Sequence, residues 1–276
     1  TAVFAAASAG AAGAAFAGSM PEFYDRILVP VMFEPFALDL AERLRGMTAG
    51  DVLEIAAGTG IVTRALARLL PSEVAITATD LNPAMLERAK SHSGLERVQW
   101  QEADALALPF ADRSFNRVLC QFGVMFFPDK RAGFRQVCRV LRPGGRFVFN
   151  VWGDREGSPF DLAATVVGEF LGREPGSLIS PPYNDGHLVQ ADLTAAGFSA
   201  INCETVTKVI RSGSAREAAI SMTHGGMIRA AIEAQMPDRL AEITEATAAA
   251  IEARFGSGPV EAPLGALVFA AARPTE

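Results

Sequence analysis

The most constraining stretch of this sequence is residues 51–70. A short apolar run, Asp51-Val-Leu-Glu-Ile-Ala56, meets a glycine turn, Ala57-Gly58-Thr59-Gly60, and then a stretch of helical periodicity. In Ile61–Leu70 apolar side chains recur at i, i+1, i+4, i+5 and i+8, which turns the arginines to the outer face of an amphipathic helix. Strand, glycine turn and helix make the first half of a crossover unit, and the pattern recurs downstream. Val74–Thr79 predicts a strand ending at Asp80. Asn82-Pro83 supplies an N-cap and a proline at the first position of a helix through Lys90. Val98–Glu102 and Phe115–Gln121 predict strands, Asp129–Leu141 a helix, and Arg142-Pro143-Gly144-Gly145 a turn into the strand Arg146–Trp152. Such alternation requires crossover connections and a parallel sheet, so the fold class is α/β.

The flanks are less regular. Pro21–Leu44 predicts two short helices joined near Pro30, with Leu38, Leu40, Ala41 and Leu44 on the apolar face. Beyond Trp152, Pro159–Leu171 predicts a helix and 172–185 a Pro/Gly-rich loop. Gly186–Ala196 predicts a helix closed by Gly197, and Ala200–Ile210 a strand. Ser214-Ala-Arg-Glu217 fits a capping box that opens a helical insertion to about Phe255, and Glu261–Ala271 predicts a last strand. At 276 residues with 50% hydrophobic and 20% charged side chains, the chain is within reach of one large domain and is not disordered overall.

Residues 1–18 are almost all Ala, Gly and Phe, with neither the basic start of a secretory signal nor the strongly apolar run of a membrane span. Gly18-Ser19-Met20 reads like a cloning junction before a start at Met20. Residues 1–19 are expected to be a leader, a tag remnant or a non-catalytic arm, and 20–276 a single domain. A net charge of -6 argues against nucleic acid as a partner. Cys120, Cys138 and Cys203 lie far apart without a C-x-x-C, so neither a disulfide framework nor a metal site is expected, and they fit small core residues in a cytoplasmic protein.

A glycine turn between strand and helix lets a ligand approach the backbone and aims free N–H groups at it. Asp80 ends the second strand, where a carboxylate can accept two ribose hydroxyls; Asp104 follows the third, where an acid can accept an adenine amine. A strand-end Asp also commonly caps the next helix. Yet Glu54, Asp80 and Asp104 all arrive at the carboxyl edge, where open parallel sheets bind ligands. Thr63 stands where a dinucleotide fingerprint needs a small residue, and the turn lacks the Lys-Ser/Thr ending of a P-loop. An acidic rim suits a ligand with positive charge and little phosphate, and S-adenosylmethionine is one.

The runs Val52–Gly60, Ala78–Met85, Ala103-Asp-Ala105 and Arg139-Val-Leu-Arg-Pro-Gly-Gly-Arg146 resemble those of the class I S-adenosylmethionine-dependent methyltransferases, in particular the ubiquinone/menaquinone-biosynthesis and small-molecule branch. The resemblance implies a Rossmann-like, seven-stranded, mostly parallel sheet with helices on both faces and the last strand antiparallel. It implies S-adenosyl-L-methionine as cofactor, S-adenosyl-L-homocysteine as product, and a small, largely apolar methyl acceptor. Carried over by position, Glu54 would contact or orient the methionyl amino group, and Gly58 and Gly60 would let the methionine moiety lie on the turn. Asp80 would hold the ribose, Leu81 would pack on the adenine, Asp104 and the Ala105 N–H would meet its edge, and Gln121 would face the methionyl group or the acceptor. Ala56 replaces a frequent first glycine and narrows the turn; Asn116 replaces a frequent Asp at a strand start.

No catalytic base is evident. Tyr24 in the N-terminal lid and His224 in the insertion are the candidates; His187 fits a surface helix start, and His92 lies in a polar turn. Segments 20–46, 152–185 and 214–255 are expected to form the lid, and Gln121–Phe127 an acceptor wall or plain core. Neither membrane insertion nor a metal is expected. The rival readings are a non-catalytic module that binds the same cofactor and a nicotinamide-dependent oxidoreductase.

Overall fold

A computed structural model describes residues 20–276, so the assignment of residues 1–19 lies outside the described residues. Seven strands form one sheet: β1 (Gly50–Ile55), β2 (Val74–Asp80), β3 (Val98–Glu102), β4 (Phe115–Gln121), β5 (Leu141–Trp152), β6 (Ser199–Ser212) and β7 (Val260–Ala272). Their order is β3-β2-β1-β4-β5-β7-β6. Pairings among β1 to β5 are parallel, and β7 runs antiparallel between β5 and β6. The expected doubly wound sheet with an antiparallel last strand is therefore the observed one.

Strand order reverses between β2-β1 and β1-β4, which places the switch point of the sheet at the end of β1. On one side of it the chain steps outward through α3 (Ile61–Leu69), after the glycine turn, and α4 (Pro83–Lys90), after β2, and the connection from β3 to β4 then crosses back to the other side of β1. Asn82 caps α4 by accepting the Ala84 N–H at 2.9 Å. Helix α5 (Lys130–Val140) leads from β4 to β5 and is capped by Asp129. Two apolar layers cover the sheet. Phe36, Phe134, Phe147, Phe149 and Phe269 pack in one, and Leu40, Val52, Leu66 and Ile76 in the other.

Four local differences from expectation have physical causes. The N-terminal segment does not break at Pro30. Helix α1 (Met20–Phe23) runs through a π-helical stretch, Tyr24–Phe33, into α2 (Glu34–Glu42), and the wider π turns absorb the missing N–H of Pro30. Leu38 is 53% exposed, whereas Leu40, Ala41 and Leu44 are buried. Residues 142–145 are looped out within β5, since Leu141 pairs with Phe115 and Arg146 with Arg117. Asn116, opposite the loop, accepts from the Asp51 N–H and from Arg142, tying the starts of β1 and β4 to it. Finally, β6 extends to Ser199 and Ser212 because β7 pairs along its length.

Above the carboxyl edge lie α6 (Pro159–Leu171) and the insertion between β6 and β7, while α7 (Gly186–Ala195) packs against α5 and β6. That insertion comprises α8 (Ala215–Thr223), α9 (Gly226–Gln235) and α10 (Leu240–Phe255). Ser214 caps α8 by accepting the Glu217 N–H, and the Glu217 carboxylate accepts from Gly213 N–H. Among the described residues no helix is long and apolar enough to cross a membrane, and no group of three or more His, Cys, Asp or Glu is arranged to hold a metal ion.

Candidate active site

The carboxyl ends of β1, β2 and β4 open into a cavity of about 430 Å³, with a side chamber of about 40 Å³ against the glycine turn. Tyr24, Phe33, Ala56 and Gln121 line both and so mark their junction. The side chamber is walled by Glu54, the turn Ala57-Gly58-Thr59, and Ile61 and Val62 at the start of α3. The two glycines of the turn have different tasks. Both adopt a left-handed backbone, with φ of 57° at Gly58 and 80° at Gly60. A Cβ on Gly58 would meet nothing within 4 Å, but one on Gly60 would come within 3.0 Å of Trp100 and 3.2 Å of Ala89. Gly58 thus leaves room on the open side, and Gly60 lets α3 pack onto its neighbours.

Glu54 is 1% exposed. The Thr63 hydroxyl donates to its carboxyl, and the Thr79 hydroxyl donates to its carbonyl at 3.1 Å. Burial pushes its pKa up from 4.5 to about 8, against the lowering effect of the Thr63 hydrogen bond; the Asp80 charge adds to the rise. Two further polar atoms of this chamber are buried without a partner: Thr59 Oγ1 and Gln121 Oε1. Gln121 is oriented by its amide, which donates to the Phe33 carbonyl at 3.3 Å. A carboxyl, an amide oxygen and a hydroxyl around a chamber of about 40 Å³ make an acceptor-rich recess for a small cation, because buried acceptors cost free energy until a donor meets them.

Asp80 sits across the turn. One carboxylate oxygen accepts the Gly58 N–H at 2.8 Å and the other the Asn82 N–H at 2.8 Å. Burial raises its pKa, opposed by the backbone donors of Asn82, Gly58 and Leu81. The carboxylate thereby joins the glycine turn to the start of α4, and its remaining lone pairs can accept hydroxyls. Leu81, 55% exposed, faces the cavity next to Asp80. Asp104 lies two residues past β3; it is exposed and accepts the Leu106 N–H at 2.8 Å, with Ala105 beside it on the cavity wall.

The rest of the cavity is apolar: Leu28, Phe33, Phe122, Trp152, Phe160, Leu178, Ile179 and Met222 are among its walls. From the expected wall Gln121–Phe127, the residues Gln121, Phe122, Gly123, Phe126 and Phe127 line it, while Val124 and Met125 are core. Phe122 stacks on Trp152 at 3.6 Å between ring centroids and 14° between planes. Its backbone is left-handed, φ 50°, and is held there because its N–H donates to the Asn150 side chain at 2.9 Å and the Asn150 carbonyl at 3.2 Å.

The structure therefore brings Glu54, Ala56, Gly58, Asp80, Leu81, Asp104, Ala105, Gln121 and Tyr24 around one continuous opening, with Gly60 packed behind the turn. Burial, then the charges of Asp80 and Asp25, raise the Tyr24 pKa far above that of a free phenol. His224 is turned elsewhere: its Nε2 is 3.1 Å from Thr244 Oγ1 and its ring stacks on Phe23, while its neighbours Met222, Gly225 and Gly226 reach the cavity. His187 is exposed at the start of α7, and His92 lies 2.9 Å from Asp25. Thr63, Thr59, Phe33 and Trp152 belong to the site without having been singled out for it. Thr63, in the first turn of α3, reaches back to Glu54 near the end of β1, a contact that the sequence pattern does not signal.

Residues 52–145 match a family described as methyltransferase domain. A demethylmenaquinone methyltransferase of Deinococcus radiodurans is 40% identical over 99 residues, 35% of this chain and 41% of that protein. A ubiquinone/menaquinone biosynthesis C-methyltransferase of Cronobacter sakazakii is 28% identical over 193 residues, 64% of this chain and 76% of the relative. The chain spans less than half the length of the first curated relatives it matches. Among solved structures, a Haemonchus contortus phosphoethanolamine N-methyltransferase in complex with S-adenosylhomocysteine shares the fold, with a TM-score of 0.55, 18% identity, and coverage of 87% of this chain and 52% of that one.

Proposed function

We propose that this chain, whose residues 52–145 match a family described as methyltransferase domain, is a class I enzyme that transfers a methyl group from S-adenosylmethionine to a small, largely apolar acceptor. The observation that carries this reading is the pair of buried, partnerless acceptors, Thr59 Oγ1 and Gln121 Oε1, beside the Glu54 carboxyl. That donor-seeking set fits the ammonium of an amino acid. Asp80 has the geometry to accept two ribose hydroxyls, Leu81 to cover one face of an adenine, and Asp104 with the Ala105 N–H to read its edge. Gly58 leaves room for the methionyl chain along the turn.

The bound cofactor supplies an activated methyl carbon on a sulfonium. The chain's own task is alignment and exclusion of water, which in oriented reactions is worth effective molarities of ~10⁵–10⁸ M. Phe33, Phe122, Trp152 and Phe160 supply the dry wall on which an apolar acceptor would lie. Neither candidate base is set up to take a proton from the acceptor: Tyr24 has a pKa pushed well above neutrality, and His224 is bonded to Thr244. An acceptor atom that is nucleophilic without prior deprotonation by the protein suits such a site. The domain assignment extends the proposal: 20–276 acts as one unit in which the segments 20–46, 152–185 and 214–255 cover the site.

Isothermal titration with S-adenosylhomocysteine tests the reading. Binding is expected, and Asp80→Ala is expected to weaken it at least tenfold while the protein stays folded. A folded wild-type chain with no affinity for S-adenosylhomocysteine or S-adenosylmethionine refutes the proposal. Unchanged affinity in Asp80→Ala refutes the ribose assignment.

A further inference from the structure

One buried carboxylate outside the cavity ties its cover to its floor. Asp25 lies in the π-helical stretch Tyr24–Phe33, directly after the cavity residue Tyr24, and is 5% exposed. Three cationic or ionisable side chains converge on it from two other elements. Arg64, in α3, approaches one oxygen at 3.3 Å; Arg88, in α4, reaches the other at 2.8 Å; and His92, just after α4, stands 2.9 Å from that same oxygen. Arg64 also makes a second bond that matters more: it donates to the carbonyl of Thr59, inside the glycine turn, at 2.7 Å.

One guanidinium thus spans the carboxylate of the N-terminal helix and the backbone of the turn that lines the side chamber. The Thr59 carbonyl is fixed from behind, and its peptide neighbours on the turn face the Glu54 recess. On the other side of the same carboxylate, Arg88 belongs to α4, whose start is tied to Asp80 through the Asn82 N–H. The helix that follows the turn, α3, and the helix whose start is tied to Asp80, α4, are therefore both anchored to Asp25. A buried carboxylate is unfavourable unless paired. Release of the N-terminal helix would separate Asp25 from all three partners together, so the helix has one strongly preferred seat. In that seat Tyr24 and Phe33 wall the side chamber.

We propose that Asp25 is a positioning residue for the cofactor site, acting through Arg64 to fix the turn at Thr59 and to seat the helix carrying Tyr24 over it. The proposal rests on the cavity being an S-adenosylmethionine site, and its consequence is that affinity for the amino-acid end of the ligand depends on a carboxylate that never touches it.

The test has two arms, one of which needs no ligand. In hydrogen exchange of the ligand-free protein, Asp25→Ala is expected to speed exchange across residues 20–33 and at the amides of 59–61 at least tenfold, leaving β4 and β5 unchanged. Asp25→Asn, which keeps the shape and loses the charge, is expected to move the same segments less and serves if the alanine variant does not fold. In titration with S-adenosylhomocysteine, Asp25→Ala and Arg64→Met are each expected to lose at least tenfold in affinity. The double variant is expected to lose no more than the worse single one, because both act through one bridge. Unchanged exchange over 20–33 and 59–61 overturns the proposal, as do additive losses in the double variant. If the wild-type protein does not bind the ligand, the functional reading falls and the exchange arm alone decides whether Asp25 holds the helix and the turn.

Discussion

The buried carboxyl of Glu54 makes cofactor affinity depend on pH in a calculable way. With its pKa raised to about 8 by burial, about a tenth of it is ionised at pH 7 and about one part in a hundred at pH 6. An ammonium in the side chamber favours the ionised form, so binding draws a proton off Glu54. The association constant should then rise about tenfold per pH unit up to pH 8 and flatten above it, by linkage. The assay is isothermal titration of S-adenosylhomocysteine from pH 6 to pH 9 on the wild-type protein and Glu54→Gln in parallel. The ligand's own α-amino group also titrates in alkaline solution, but it does so equally for both proteins. The ratio of the two association constants therefore isolates Glu54, and titration in buffers of different ionisation enthalpy should show a proton released below pH 8 in the wild type alone. A ratio constant within about twofold over pH 6 to 8 would refute the reasoning. The ligand-free protein carries the same signature in its stability. Between 4.5 and about 8 the folded state holds a proton that the unfolded chain has lost, so stability falls as pH rises through that window. The full loss is of order 5 kcal/mol; Glu54→Gln should lack this slope.

Three other perturbations separate the parts of the site. Thr63→Val removes the hydroxyl that donates to Glu54 and should cost about 1–3 kcal/mol, read by calorimetric unfolding, with a further rise in the Glu54 pKa that weakens cofactor binding at neutral pH. Gly60→Ala should destabilise more than Gly58→Ala, since both place an alanine on a left-handed backbone at a cost of about 1–2 kcal/mol but only at Gly60 is the new Cβ also 3.0 Å from Trp100; Gly58→Ala should in addition lose ligand affinity, because its Cβ enters the open side of the turn. Asn150→Leu leaves the Phe122 N–H with the weaker of its two acceptors and should cost about 1–3 kcal/mol in denaturant unfolding, together with a change in tryptophan fluorescence from Trp152.

How much of this was legible in the sequence differs by element. The central sheet was, because β1, β2, β4 and β5 each lie next to a strong local signal, namely the glycine turn, Asn82-Pro83, the Asp129 cap and the Arg142–Gly145 loop, and the alternation they set leaves β3 its place. Asp80 and Asp104 were legible for the same reason, as strand ends fixed by a repeating topology. The N-terminal segment was not. Pro30 announces a break, and only the packing of Leu28, Val29 and Met32 beneath the π-helical turns shows why the chain continues. Trp152 and Phe33 reach the cavity from elements far apart in the chain, so no spacing links them to the glycine turn. The partnering of Thr63 with Glu54 needs the helix to be set against the strand at a particular rotation, which periodicity alone does not supply.

Ala56 and Phe122 sit at the ends of the neighbouring strands β1 and β4, and both are left-handed, with φ of 54° and 50°. Non-glycine residues in that region cost about 1–2 kcal/mol each, so the packing around them must compensate. For Phe122 the compensation is the Asn150 bonds and the stack on Trp152. For Ala56 it is the absence of a side chain opposite: a Cβ on Gly123 would fall 2.6 Å from the Ala56 Cβ and 2.6 Å from the Cys120 sulfur. The methyl group that narrows the turn is thus accommodated by a glycine on the adjacent strand end. The two strained residues have a shared consequence for function. Each turns the chain sharply away from the carboxyl edge at the switch point, one opening the side chamber beside Glu54 and the other presenting an aromatic face to the larger cavity. Strain at both strand ends is what allows a polar recess for the cofactor's amino acid and a dry wall for the acceptor to lie side by side, with Tyr24, Phe33, Ala56 and Gln121 at their junction.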